Sequence, residues 1–389
     1  MKLALLKGNR FNTWHLQGFG LLPDGVEVTA FRTESENQHY FVERDDAGPK
    51  FQVERIYFDT QKGSPLRRFV NAFSQRYANR APRILPFCDR LEGFDLIQSW
   101  ELFTDWTAQA LEARARWGTP LAVMVWDSIP LIMERNPERR AMKNRAAGKA
   151  DCFIVYTDRS RRMLRLEGVP EEKIRRINPG VDTSRFCPGP ANRPALGLDD
   201  GEFVVLFVGW FLPRKGIDFL LLALRELLND PDLRDRRLRL LVAGWGPGRE
   251  RVEGLIDRLA LKNACTFAGA LPYSRMPDVY RAADVFVLPS TATPEWEEEV
   301  GMSLIEAMAS GTPVVSTLSG AIPEIADYAA ALCQPNDFVS LYEALKNMML
   351  HPDSRKELGK AGRKRASRTF DLREHAAQLA RIYDELVQG

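Results

Sequence analysis

The stretch PEWEEEVGMSLIEAMASGTPVV, starting at Pro294, puts four glutamates ahead of a glycine and an apolar segment. Glu298 stands eight positions before a fifth glutamate, Glu306, which lies inside the otherwise apolar run Met302 to Ala309. Carboxylates on both sides of a helix start have a chemical use. Gly301 lets the chain approach a ligand closely, because no Cβ intervenes. The N–H groups of Met302, Ser303 and Leu304 would point out of the helix end and could hold a phosphate, aided by the helix dipole. Glu306, in the first turn, could accept hydrogen bonds from a ribose, and Glu298 could reach the hydroxyls of a sugar beyond the phosphates. A plainer account uses the same residues. Ser303 followed by Glu306 is a capping-box pattern, Gly311 supplies a left-handed stop, and Pro313 bars continuation. On that account Glu306 only caps its helix and Glu298 is a solvated loop charge. Glu295 and Glu297 are expected to face solvent on either account.

Such residues need elements to hold them. A chain of 389 residues suits two domains of roughly 150–200 residues each. With 45% apolar and 27% charged residues, the composition is that of an ordinary soluble protein. Residues 1–190 carry 30 Lys/Arg against 24 Asp/Glu, and residues 191–389 carry 24 against 28. That imbalance is too mild for a nucleic-acid binder. Five scattered cysteines without a C-x-x-C pair suggest neither a zinc site nor a disulfide framework, and so a reducing compartment. The N-terminal MKLALLKGNRF is too short in apolar residues for a signal peptide and suits a first buried strand. The longest apolar run, Phe203 to Leu212, falls short of the roughly 20 residues a membrane helix needs. A soluble, cytoplasmic protein is expected.

Short apolar runs alternate with helical stretches, as in parallel-sheet α/β architecture. Strands are expected at Leu3–Leu6, Val26–Phe31, Leu96–Gln98, Leu121–Trp126 and Phe153–Tyr156, with helices at Trp106–Trp117 and Asp158–Glu167. A Pro-, Gly- and Asp-rich segment over 177–202 reads as a linker. After it come strands Phe203–Val208, Leu238–Ala243, Ala264–Phe267, Val285–Leu288 and Val314–Ser316. Helices Ile217–Leu228 and Met276–Ala283 alternate with them, and helices from about 338 to 349 and 372 to 387 close the chain. The expected division is 1–185, linker 186–201, 202–370, and a C-terminal helix 371–389 that returns to the first domain. Ligands of such sheets bind at the carboxyl ends of the strands.

The pattern E-x-x-G-x-x-x-I-E-A-M-A-x-G-x-P-V-V resembles the E-x7-E signature of family 4 glycosyltransferases, retaining enzymes of the GT-B fold. Five further segments resemble the family in order along about four-fifths of the chain. They are GVPEEKIRRINPGVDTSRFCPG (168–189), FVGWFLPRKGIDFLLLAL (207–224), LVAGWGPGRERVEGL (241–255), FAGALPYSRMPDVYRAADVFVLPS (267–290) and SGAIPEIAD (319–327). The resemblance implies a GT-B fold, two Rossmann-like domains whose parallel sheets face a deep cleft. It implies that Glu306 binds the donor ribose and that Glu298 faces the transferred sugar. Gly301, Met302, Ser303 and Leu304 would give backbone to the diphosphate, and Lys215 would neutralise the leaving diphosphate. Gly209 lies in the first βα turn of the donor domain. Gly8 matches the glycine loop that covers the donor phosphates, with Asn9 and Arg10 beside it.

Three departures stand out. Trp210 occupies the place of an arginine five positions before the lysine, and Arg214 either supplies that charge or points to solvent. Trp126 and Asp127 stand where the family often has a histidine; either Asp127 takes over part of its role or the histidine is dispensable. No D-x-D pair stands in a metal-site setting, Asp230 and Asp232 lying in a polar loop, so no metal and no cofactor are expected. The donor would be a UDP- or GDP-linked sugar, and the acceptor a glycan, a lipid-linked sugar or a small molecule. A catalytically silent sugar-nucleotide-binding protein is the alternative. The segment 64–87 interleaves Arg67, Arg68, Arg76, Arg80 and Arg83 with Phe69, Phe73 and Tyr77. It either packs its aromatic face on the core or lies on anionic lipid at the inner membrane face.

Overall fold

The computed structural model describes residues 1–8, 16–33, 51–58 and 84–389, so the segment 64–83 and the pair Asn9 and Arg10 lie outside the described residues. It divides into two compact units, Met1–Ile177 with Ala376–Gly389, and Asn178–His375.

The first unit is built on strands β1 (Lys2–Leu6), β2 (Glu27–Thr33), β3 (Gln52–Ile56) and β4 (Leu96–Trp100), then helix α1 (Asp105–Trp117) and β5 (Leu121–Val125). Helix α2 (Pro137–Lys149), β6 (Cys152–Val155), α3 (Asp158–Leu166) and β7 (Ile174–Arg176) complete it. The strands form one parallel sheet in the order β3-β2-β1-β4-β5-β6-β7. Strands β4, β5 and β6 are buried along their whole length; β5 and β6 accordingly read as unbroken apolar runs, while β4 also buries Gln98 and Ser99. Each helix begins on a side-chain cap: Thr104 accepts from the Thr107 N–H at 3.2 Å, Asn136 from Glu138 and Arg139, and Thr157 from Ser160. Helix α2 was not expected, since only Lys143, Ala146 and Ala147 are buried on it; its Asn136-Pro137 start was the available signal. The two short edge strands β3 and β7 also escaped pattern reading.

The second unit runs β8 (Glu202–Val208), α4 (Ile217–Asn229), β9 (Arg237–Ala243), α5 (Arg249–Arg258), β10 (Cys265–Gly269), α6 (Met276–Arg281) and β11 (Val285–Leu288). It continues with α7 (Met302–Ala309), β12 (Val314–Thr317), α8 (Ile322–Ala326), β13 (Ala331–Cys333), α9 (Phe338–Leu350) and α10 (Pro352–Thr369). Its parallel sheet has the order β10-β9-β8-β11-β12-β13. The order reverses between β8 and β11, and the crevice at their carboxyl ends is where ligands of such sheets bind. Helix α4 buries Leu220, Leu221, Leu224 and Leu227 against Phe207, Leu240 and Val287; each such side chain contributes about 1.5–3 kcal/mol.

Residues 178–201 are not a free connector. Val181 and Phe186 are buried, Val181 donates to the Phe370 carbonyl at 2.8 Å, and Phe186 packs on Tyr273 and Tyr280. Arg281 reaches the Cys187 carbonyl, and Arg193 bonds Asp284 and the Ala282 carbonyl. The boundary between units therefore falls at Ile177, eight residues ahead of the expected 185, because apolar anchors hold this polar stretch to the second unit. The last helix, α11 (Leu372–Gln388), contributes its residues from Ala376 onward to the first unit. There Leu379 and Tyr383 are buried and the Tyr383 hydroxyl donates to Gln98.

Candidate functional site

Glu298 and Lys215 come together at the switch point of the second sheet. The chain leaving β8 turns at Pro213–Lys215, and the chain leaving β11 carries Ser290, Thr291 and then Glu298. Lys215 Nζ lies 2.8 Å from both oxygens of Glu298, and the Ser290 hydroxyl donates to one of them. The Glu298 side chain is only 6% exposed, and that of Lys215 17%. A carboxylate so buried is held by matched partners, because an unpaired one would be costly. Its backbone is fixed as firmly: the Glu298 N–H donates to Ser319 Oγ at 3.1 Å, and its carbonyl accepts from the Ala321 N–H at 2.9 Å. Gly320, at φ 54°, permits that turn, since a Cβ there would stand 2.1 Å from the Glu298 carbonyl oxygen. Glu298 is thus not a solvated loop charge. Glu297, expected to face solvent, is also buried at 8% exposure; Glu295 is exposed.

Helix α7 starts at Met302. Gly301 is its N-cap at φ 72°, without a side-chain cap, so the capping box does not form. The Leu304 N–H, expected to be available to a ligand, donates instead to the Gly301 carbonyl at 2.8 Å, and its side chain is fully buried. The N–H groups of Met302 and Ser303 remain in the first turn, where no carbonyl of their own helix can reach them. Glu306 is buried, and its carboxylate accepts from the Tyr273 hydroxyl at 3.0 Å and the Tyr280 hydroxyl at 2.7 Å. Burial pushes its carboxyl up to about 7, against the two hydroxyls, which favour the charged form. Each oxygen keeps a second lone pair in reserve.

The chain around Lys215 is aromatic. Arg214 does not simply point to solvent: its guanidinium stacks 4.5 Å from the centre of the Trp296 ring, with Lys215 Nζ at 5.6 Å. Trp210 packs edge-on against Trp245. The Gly209 N–H extends the ladder to the Ala243 carbonyl at 3.1 Å. The Asp230 and Asp232 pair is occupied structurally, by Tyr342 and Lys346, and lies beyond the end of α4, away from the strand carboxyl ends. Among the described residues no three His, Cys, Asp or Glu side chains form a metal-binding group.

In the first unit, Gly8 (φ 86°) follows β1, beside the indole of Trp106. Lys7 lies over the rings of Trp100 and Trp126, at 4.3 and 4.6 Å from their centres. Asp127 stands at the carboxyl end of β5. Burial, with Glu167 nearby, pushes its carboxyl up to about 6, and Lys143 opposes that shift. The buried Lys143 ammonium pairs with Glu167 and, at 3.2 Å, with Glu134. Sequence reasoning missed Tyr273, Tyr280, Ser290, Ser319 and Trp296. The seven-residue spacing of the two tyrosines was a local hint, although Tyr273 lies in the turn before α6 and Tyr280 within it.

Two doubly wound parallel sheets, the second with a cation, two buried carboxylates and a helix N-terminus at its switch point, define the GT-B class. Structural likeness agrees. Sucrose-phosphate synthase from Thermosynechococcus elongatus superposes with a TM-score of 0.76 at 24% identity, covering 100% of this chain and 99% of that one. Anabaena HepE, solved in complex with UDP-glucose, gives 0.75 at 20% identity over 99% and 100%. At those identities the likeness speaks for the fold alone. The profile described as Glycosyltransferase Family 4 matches residues 20–185, and that of Glycosyl transferases group 1 matches 190–365. The D-inositol 3-phosphate glycosyltransferase of Corynebacterium jeikeium is 31% identical over 327 residues, 78% of this chain and 75% of the relative. That of Saccharomonospora viridis is 34% identical over 292 residues, 70% and 66%. The chain belongs to glycosyltransferase family 4. It spans about two thirds of the length of the first curated relatives it matches, 66% and 62%.

Proposed function

We propose that the protein is a retaining glycosyltransferase that takes a sugar from a nucleoside diphosphate sugar, without a metal, and places it on an acceptor hydroxyl. The observation that carries this reading is the Lys215–Glu298 pair beside the open first turn of α7. The Met302 and Ser303 N–H groups and the Lys215 ammonium would meet the diphosphate, whose negative charge grows as the glycosidic bond breaks. Glu298, released from Lys215 by the diphosphate, would accept hydrogen bonds from the sugar, and Glu306 from the ribose. The relatives are named as D-inositol 3-phosphate glycosyltransferases, which supports glycosyl transfer, and the structurally similar HepE was solved with UDP-glucose, so UDP- and GDP-linked sugars head the donors to be tested. We place the acceptor on the first unit, near Asp127. As the family resemblance implies, attack would come from the same face, with the leaving phosphate taking the acceptor proton, and not by double displacement through the enzyme.

The test is release of UDP or GDP from a panel of nucleotide sugars, with acceptors, in the presence of EDTA. Turnover that survives chelation and falls by about 10²–10³ in Glu298→Gln is expected, the scale on which removal of one well-placed polar group acts. Full activity in that variant would overturn the assignment of Glu298. Nucleotide binding by wild type with no turnover of any sugar would favour the silent binder.

A further inference from the structure

We infer that Lys143 is a positioning residue for the acceptor: from α2 it clasps the strained chain after β5 and is the cation that serves Asp127. The inference rests on the placement of the acceptor near Asp127 made above. All the residues concerned belong to the first unit. The chain after β5 turns through two non-glycine residues in the left-handed region, Leu131 at φ 59° and Met133 at φ 64°. They are 59% and 46% exposed, so burial of their side chains does not offset the strain. Polar contacts from α2 and from the end of α3 do. The Lys143 side chain is only 3% exposed, and its ammonium meets the Ile132 carbonyl at 3.3 Å, Glu134 at 3.2 Å, and Glu167 just after α3. The same Glu167 oxygen accepts from the Leu131 N–H at 2.8 Å. One buried ammonium thus fixes the loop at Ile132 and Glu134 directly and at Leu131 through Glu167.

Asp127 opens that loop. Among the described residues none hydrogen-bonds its half-buried carboxylate, whose lone pairs are therefore open to a sugar hydroxyl. Burial disfavours its charged form, Lys143 opposes that, and Glu167 adds to it. Glu134 draws on the same ammonium, while Glu101 and Lys7, from the ends of β4 and β1, stand at the preceding Trp126. Asp127, Glu134 and Glu167 thus share Lys143, and its charge decides whether Asp127 can receive a hydroxyl proton donor as an anion. Lys143 touches no reacting atom. It acts through Asp127 and the loop.

The experiment has three readouts. They are the carbon-13 titration of the Asp127 carboxyl, assigned by its loss in Asp127→Asn, trypsin cleavage after Arg135 in the loop, and transfer from UDP-glucose or GDP-glucose to glucose, glucose 6-phosphate or inositol phosphate. In Lys143→Met the Asp127 titration should move up from about 6 by roughly one pH unit or more. Cleavage after Arg135 should quicken about tenfold, and the acceptor KM should rise about tenfold while the donor KM stays within about twofold. Lys143→Arg, which keeps the charge, should hold the titration and the loop near wild type. If Lys143→Met does not fold, Lys143→Met with Glu167→Gln leaves no charge stranded on Glu167 and carries the test, with the same opening of the loop and the same rise in acceptor KM. An unmoved Asp127 titration in Lys143→Met, cleavage no faster than in wild type, or donor and acceptor KM rising together would overturn the inference. An unchanged acceptor KM in Asp127→Asn would instead overturn the placement of the acceptor. Absence of transfer by wild type to every probe would count against the transferase reading, and this role with it.

Discussion

Glu306 shows at the scale of one residue why a buried carboxylate is unusual. Its carboxyl is raised from 4.5 to about 7, so between those pH values the folded state holds a proton that the unfolded chain has released. Stability therefore falls as pH rises through that window, the reverse of the common carboxylate case. Glu306→Gln should remove this loss. Relative to wild type, the variant should gain up to about 3 kcal/mol between pH 4.5 and 7, measured by urea unfolding at each pH. A difference that does not change with pH would contradict the assigned burial. The Lys215–Glu298 pair gives a second residue-scale prediction. Lys215→Ala leaves a carboxylate buried without its cation and should cost about 3–5 kcal/mol, whereas adding Glu298→Gln should restore much of it. A double variant no more stable than Lys215→Ala would show that the pair is not the main compensation. The types and spacing of Glu298, Glu306 and Lys215 were legible in the sequence. Their partners were not, because Tyr273, Tyr280 and Ser290 reach the carboxylates only through the tertiary fold.

At the scale of elements, the site is a meeting of turns. The turn after β8 brings Lys215, the chain after β11 brings Ser290 and Glu298, and the loop after β12 brings Ser319 and Gly320. Gly320 is where the last two lie closest. Gly320→Ala must accommodate both φ 54° and a Cβ 2.1 Å from the Glu298 carbonyl oxygen, and should destabilise by on the order of 2–3 kcal/mol. An unchanged urea midpoint would mean that the loop yields freely and does not fix Glu298. Long apolar strands and α4 were readable from periodicity. Helix α10 was not: its PDSRKELGKAGRKRASRT is polar, and it packs by small residues, with Gly359, Gly362 and Ala366 buried. Close packing through glycine leaves no hydrophobic stripe to read. The Ser303–Glu306 pattern mimics a capping box that Tyr273 and Tyr280 pre-empt.

Across the whole molecule, the chain's two units differ in how their ends are secured. The second unit closes on itself through His375, whose Nδ1 lies 2.8 Å from the Asn178 carbonyl at the start of that unit. Burial lowers its pKa from 6.5 to about 4, so the unfolded chain takes up a proton that the folded state refuses. Stability from this group is complete above pH 6.5 and is lost as pH falls towards 4. His375 and Glu306 thus pull in opposite directions between pH 4.5 and 6.5, and wild type should show a shallow pH profile there. His375→Gln should steepen it in favour of low pH, and a profile parallel to wild type would remove His375 from the account. The two-unit, parallel-sheet organisation was legible from alternation and composition. The packing of residues 178–201 on the second unit was not, because Val181 and Phe186 are isolated apolar anchors in a segment whose prolines and glycines signal a linker.

The proposed activity depends on the second unit binding a nucleoside diphosphate through Lys215 and the open turn of α7. Thermal unfolding with UDP, GDP and ADP, on wild type and on Lys215→Gln, each against its own ligand-free baseline, tests it most directly. A ligand specific for the folded state adds about 2.7 kcal/mol of apparent stability at a hundredfold excess over its dissociation constant. One of the three diphosphates should stabilise wild type on that scale, with most of the response lost in the variant. No response from wild type to any of the three, or an equal response from both proteins, would contradict it.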